Sequence, residues 1–138
     1  MVTHSTLGER LRVVADGAVI NADIRTERIS SYLPMKDYGR VGALLVTDAL
    51  NPTHTASVQI LQATDDQGSD AKNLVTVTSD EEGGAKLLLA EASQDDMDGQ
   101  NGFTHVAVRA VSDNDAALLG SAVLVRADSS YKPVARID

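Results

Sequence analysis

Short apolar stretches, each closed by a cluster of Asp, Gly, Ser or Asn, recur along the whole chain. This is the pattern of β-strands joined by turns. The stretches fall at 11–15, 18–24, 39–47, 55–63, 74–78, 85–92, 104–111 and 122–127. Alternation is clearest in two of them. Val106, Val108 and Ala110 oppose His105, Ala107 and Arg109, and Val58 and Ile60 oppose Gln59 and Leu61. Asp16-Gly17 between the first two stretches predicts a type I′ hairpin, because both central residues of that turn need positive φ. Asn51-Pro52 marks a turn, and residues 65–72 and 94–102 read as acidic, turn-rich loops. Residues 25–37, polar with one proline, read as a connection. Three consecutive leucines, Leu87 to Leu89, would allow a helix over 85–92, but the neighbouring stretches favour a strand.

Roughly eight strands at a spacing of about 8–15 residues predict an all-β antiparallel sandwich, a jelly roll first and an immunoglobulin-like sandwich second. The pattern leaves strand order open. The expected organisation is an N-terminal arm over 1–8, one β-sandwich domain over 9–130 and a C-terminal tail over 131–138.

Composition narrows the chemistry. Trp is absent and Phe103 is the one Phe, so the core must come from Val, Leu, Ile and Ala. A formal charge of −8 argues against nucleic acid and anionic membranes as partners. The chain has no cysteine, hence no disulfide or thiolate metal site. It lacks a long apolar run near the N-terminus, so neither a signal peptide nor a membrane span is expected. The charge is uneven. Residues 1–40 carry Arg10, Arg12, Arg25, Arg28, Lys36 and Arg40 and are near neutral, whereas acids dominate from Val41 onward. The arginines of the first third therefore become candidate partner contacts, with the acidic loops facing solvent. The acidic loops serve solubility equally well.

Candidate chemical sites are sparse. Asp95, Asp96 and Asp98 on a Gly-containing loop could wrap Ca²⁺, which takes six to eight oxygens, but Ala107 stands where an EF-hand loop starting at Asp96 needs its bidentate Glu. Asp65, Asp66 and Asp70 form a second acidic turn. His4, His54 and His105 lie in the arm, in a turn and on a strand, with no spacing that makes them converge. No nucleophile or phosphate-binding motif is present, so neither an enzyme nor a cofactor is expected. Tyr32, Tyr38 and Tyr131 are too few and too scattered for a stacking surface that binds sugar or single-stranded nucleic acid, though a tyrosine suits a protein interface or the edge of its own core.

Several blocks together resemble a family of small tailed-phage virion proteins, the minor capsid, head-decoration or cement proteins. They are Asp37-Tyr38-Gly39-Arg40-Val41, Leu61-Gln62-Ala63-Thr64-Asp65 with Gly68, Ala71 and Lys72, then Asp98, Gly102-Phe103-Thr104-His105-Val106, and Arg126-Ala127-Asp128 with Tyr131 to Val134. The likeness covers residues 38–134 and leaves the N-terminal forty mostly outside. It implies a non-enzymatic β-rich module, made in the host cytoplasm, that binds the outer surface of an assembled capsid and bridges major capsid protein subunits. It also implies a homo-oligomer, for which a trimer would suit three-fold shell positions. Arg10, Arg12, Arg25, Arg28, Tyr38, Arg40 and Tyr131 are the expected interface residues. A head–tail connector or tail-tube subunit, and a carbohydrate- or receptor-binding sandwich, are the alternatives.

Overall fold

The computed structural model describes residues 11–13 and 18–128, with side chains from 18 to 127. The expected arm, the tail, the Asp16-Gly17 turn, Arg10, His4 and Tyr131 lie outside the described residues. Among the described residues ten strands run in chain order: β1 Leu11–Val13, β2 Val19–Asp23, β3 Arg28–Ile29, β4 Leu33–Pro34, β5 Tyr38–Thr47, β6 Ala56–Ala63, β7 Lys72–Thr78, β8 Leu87–Ser93, β9 His105–Ser112 and β10 Leu119–Asp128. The leucine run is a strand, and the acidic segment after it forms two single 3-10 turns, Gln94–Asp96 and Gly99–Asn101.

The strands form two antiparallel sheets. In the first, β5 separates β10 from β8, and the far side of β10 carries β1 and β2 in line. In the second, β6 separates β9 from β7, and the far side of β9 carries β3 and β4 in line. With each in-line pair taken as one interrupted strand, the first position pairs with the last, the second with the seventh, the third with the sixth and the fourth with the fifth. The chain is thus one long hairpin rolled over on itself, which is the jelly roll. An immunoglobulin-like sandwich would instead pair its first two sheet strands with each other.

Two expectations fail here. The first two apolar stretches do not fold back on each other, because β1 and β2 pair in succession with β10, Val13 opposite Val125 and Val19 opposite Val123. The ten-residue β10 offers both of them a full ladder, and an Asp-Gly pair cannot compete with that. The supposed connection 25–37 holds β3 and β4. It escaped notice because these are two-residue edge pieces, and Pro34 can stand on an edge where no N–H is needed. Between them Ser30 is buried. Its N–H donates to the Val108 carbonyl at 2.9 Å and its hydroxyl accepts from the Val108 N–H at 3.0 Å, so a side chain replaces a missing ladder carbonyl.

The core lies between the sheets. Val41, Ala43 and Leu45 of β5 and Ala122 and Leu124 of β10 face Val58 and Ile60 of β6 and Val106, Val108 and Ala110 of β9. The alternation read for β6 and β9 holds. It breaks at the end of β6, where Leu61, Gln62 and Ala63 are all buried beyond a register shift against β7. Close approach at one edge depends on Gly120, where a Cβ would stand 2.9 Å from Ile24 side-chain carbons.

Ser30→Ala orphans the buried Val108 N–H and is expected to cost about 1–3 kcal/mol. Leu124→Ala opens a cavity in the centre and is expected to cost about 2–5 kcal/mol. Urea unfolding of both variants measures these losses, and a Ser30→Ala variant as stable as the parent would deny the hydroxyl its role in the ladder.

Candidate interaction surface

The expected interface residues do not form one patch. Arg25 lies in the turn after β2, where its Nε and Nη2 donate to the Asp23 carboxylate at 3.0 and 2.8 Å. Arg28 donates from Nε to the Asp23 carbonyl at 3.0 Å. Tyr38 and Arg40 sit at the opposite end of the sandwich, and the backbone of Arg12 pairs with Arg126 at that same end. The two groups are separated by the length of β10, about 30 Å at ~3.4 Å per residue. Tyr38 is engaged within the fold. The Arg126 guanidinium stands 4.3 Å from its ring centre, and Arg126 Nη1 donates to the Pro34 carbonyl at 2.6 Å. Arg126 is buried, a structural role that no feature of its sequence context marked.

The acidic loop between β8 and β9 spends its carboxylates locally. Asp96 accepts from the Ser93 N–H at 2.9 Å. Asp98 accepts from Lys72 Nζ at 2.7 Å and from the Asn101 amide at 2.9 Å, and Asp95 is exposed. Among the described residues no three acidic or His side chains come together as a metal site. His54 lies between Asp113 and Asp115, and His105 Nδ1 shares a hydrogen bond with the Thr104 hydroxyl at 2.8 Å. A cleft of about 900 Å³ beside this loop is lined by Met35, Lys36, Met97, Phe103 and His105 among others. Phe103 is its one aromatic, and Lys72 already stands 4.3 Å over that ring.

The two outer sheet faces differ in kind. On the second sheet, one row across the strands is a chain of hydrogen bonds. Glu27 accepts from Arg109, Arg109 donates to Gln59, and the Gln59 amide donates to Asn73 and Thr76 at 3.0 Å each. Ser57 and Thr78 share another bond at 2.9 Å. On the first sheet, register aligns Leu89 of β8, Leu44 of β5, Val123 of β10 and Val19 of β2 in a row. It is an apolar stripe from edge to edge. Leu87 and Val46 extend it on one side and Val125 on the other. Leu87 is 68 % exposed, Leu89 and Val19 52 % each and Val46 47 %. Charge flanks the stripe without entering it, as the Arg40–Glu91 pair at one end and Asp23–Arg25 at the other.

This face was hidden in the sequence because an exposed stripe on one sheet face and a doubly buried strand give the same run of leucines. Strand register separates them.

No family model matches the chain, and no curated protein matches it. Similar solved structures are found. A chain from the naturally occurring empty particles of Cowpea mosaic virus has a TM-score of 0.50 at 8 % identity, over 84 % of each chain. A chain of infectious bursal disease virus (Gx strain) has a TM-score of 0.46 at 12 % identity, over 89 % of this chain and 33 % of its own. A structure described as CBM4 has a TM-score of 0.44 at 13 % identity, over 83 % and 81 %. At these identities the likeness is one of fold, the jelly roll derived above from strand pairing. No helix among the described residues is long and apolar enough to cross a membrane.

The ion pairs set an acid limit on stability. Hydrogen bonds from Arg25 hold the Asp23 carboxyl well below the usual carboxylate range, and Lys72 does the same for Asp98. A carboxyl depressed in the folded state contributes stability above its unfolded pKa and loses it as pH falls below about 4. Melting temperature is therefore expected to be level through neutral pH and to fall below about pH 4, with a shallower fall in Asp23→Asn. Arg126→Ala, which leaves the Pro34 carbonyl unpartnered, is expected to cost about 1–3 kcal/mol, against under about 1 kcal/mol for Arg40→Ala in its exposed pair. Thermal melts across pH and urea titrations of these variants check both statements.

Proposed function

We propose that this chain is a non-enzymatic virion structural protein of the tailed-phage decoration or cement type. It binds the outer surface of an assembled capsid and stabilises it by bridging major capsid protein subunits. The observation that carries this reading is the contrast between the two outer faces. A sandwich with one face closed by its own hydrogen bonds and the other left as an apolar stripe is built to be applied to a surface by one side. Burial of such a stripe, repeated across a lattice, accumulates many modest contacts into firm attachment. The net charge of −8 supports an outer position, since the interior of a filled head is packed with phosphate. The sequence blocks named above support the tailed-phage assignment. Arg28 and Arg40, at opposite ends of the sandwich, would steer and orient the module. Arg10, Arg12 and Tyr131 keep their proposed contacts with neighbouring subunits.

The reading is tested by mixing the purified protein with undecorated heads and imaging them by cryo-electron microscopy. Regular outer density is expected with the parent protein, and a loss of about tenfold or more in occupancy with the double variant Leu44→Lys, Val123→Lys. Density at a single vertex would assign the chain to the head–tail connector instead. No binding, or full occupancy by the double variant, would overturn the surface proposed here.

A further inference from the structure

Edge strands present unpaired N–H and C=O groups, and folded proteins protect them with interruptions, proline, lysine or register shifts. Among the described residues the two sheets have four edges, and three are protected in that way. The β1/β2 edge is interrupted between Val13, opposite Val125, and Val19, opposite Val123. The β3/β4 edge is interrupted and contains Pro34. The β7 edge begins with Lys72 and carries a register shift against β6. The β8 edge has none of these. It runs unbroken for seven residues, includes three successive leucines and has one charge, Glu91, which Arg40 engages at 3.5 Å.

The hydrogen-bond phase of β8 shows what this edge can accept. The Thr47 N–H donates to the Lys86 carbonyl at 2.9 Å, and the register of β5 and β8 is continuous. Backbone bonding alternates along an antiparallel pair. Leu88, Ala90 and Ala92 therefore bond inward to β5; Ser93 turns outward but its N–H is taken by Asp96, which leaves Leu87, Leu89 and Glu91 with N–H and C=O groups free to pair outward.

We propose that β8 pairs antiparallel with β8 of a second copy of this chain, about a two-fold axis at Leu89. In this register Leu89 faces Leu89 of the other copy, and Leu87 faces its Glu91. These three residues of each copy then find both a donor and an acceptor. The two Glu91 carboxylates lie on opposite sides of the axis, each beside its own Arg40, so like charges are never set against each other. The same register aligns the two apolar stripes end to end, because the Leu89–Leu44–Val123–Val19 row crosses the axis at Leu89. Two first sheets become one continuous sheet with an unbroken stripe of twice the length. A two-fold pair replaces the trimer expected from the resemblance. The pairing is independent of the virion reading, since it requires only this chain.

The absence of native cysteine makes the test clean. Opposed residues of a hydrogen-bonded antiparallel pair stand about 5.5 Å apart at Cα, within disulfide reach. Leu89→Cys is expected to yield a covalent dimer on mild oxidation, and Leu87→Cys alone is expected not to, because its opposite number is Glu91. Light scattering across a concentration series is expected to show a dimer for the parent. Leu89→Pro removes only an outward N–H and leaves the bonds to β5 intact. It is expected to weaken the dimer about tenfold or more while keeping a parent-like circular dichroism spectrum. A parent that stays monomeric, a trimer, or cross-linking through Leu87→Cys rather than Leu89→Cys would each overturn the pairing. A dimer that fails to bind heads would leave the pairing intact and remove the virion reading alone.

Discussion

The fold depends on β10. Its ladder holds three others, with β5 along one side and β1 and β2 along the other, as β9 holds β6, β3 and β4 in the second sheet. The last stretch of described chain thus fixes the first, and the N-terminal strands have no ladder until β10 is in place. Each pairing in the jelly roll except β6 with β7 spans a long loop of sequence. Closing such loops costs entropy before contacts repay it, which makes this a topology of slow, late-locking assembly. Gly120 belongs to the same constraint. Only a residue without Cβ lets β10 pass close to Ile24, the buried residue that ends the β2 column.

With so few aromatics, the interior is filled by small and branched aliphatics. Alanines at 43, 56, 90, 92, 110 and 122 let the sheets approach, and Leu45, Ile60 and Leu124 fill the space between them. Polar groups that enter the interior are held by backbone. Ser30 serves Val108, and Arg126 serves Pro34. The same economy explains why the carboxylates of the acidic loops converge on no ion. Most are committed to nearby donors, as Asp65 is to the Ser69 N–H and hydroxyl and Asp98 to Lys72, while Asp95 is exposed.

Much of this architecture was legible in the sequence. Period-two alternation placed β5, β6 and β9 to within a residue or two, because each has one buried face and a full-length ladder. The jelly roll itself followed from the number and spacing of the strands. Pairing was not legible. Asp16-Gly17 carries a strong local preference for a hairpin, yet β10 overrides it with a longer ladder. Residues 28–34 alternate too briefly to register, and Ser30 completes their pairing through a side chain that no periodicity reveals. Function was less legible still, since charge along the chain named the arginines of the first third without showing that Arg25 and Arg28 lie at one end of the sandwich and Arg40 at the other. The apolar stripe is a property of register, four residues far apart in sequence brought into line by three separate ladders.

One geometric fact has a practical meaning. Leu11 and Ala127 are register partners, so the start of β1 and the end of β10 lie at the same corner, on the Tyr38 end. A peptide or domain fused ahead of β1 and one fused after β10 would emerge side by side. Such a chain is a natural carrier for displaying two cargoes at a single point. It is also a good subject for circular permutation, in which a linker joins Asp128 to Leu11 and new ends are opened in the 65–70 turn.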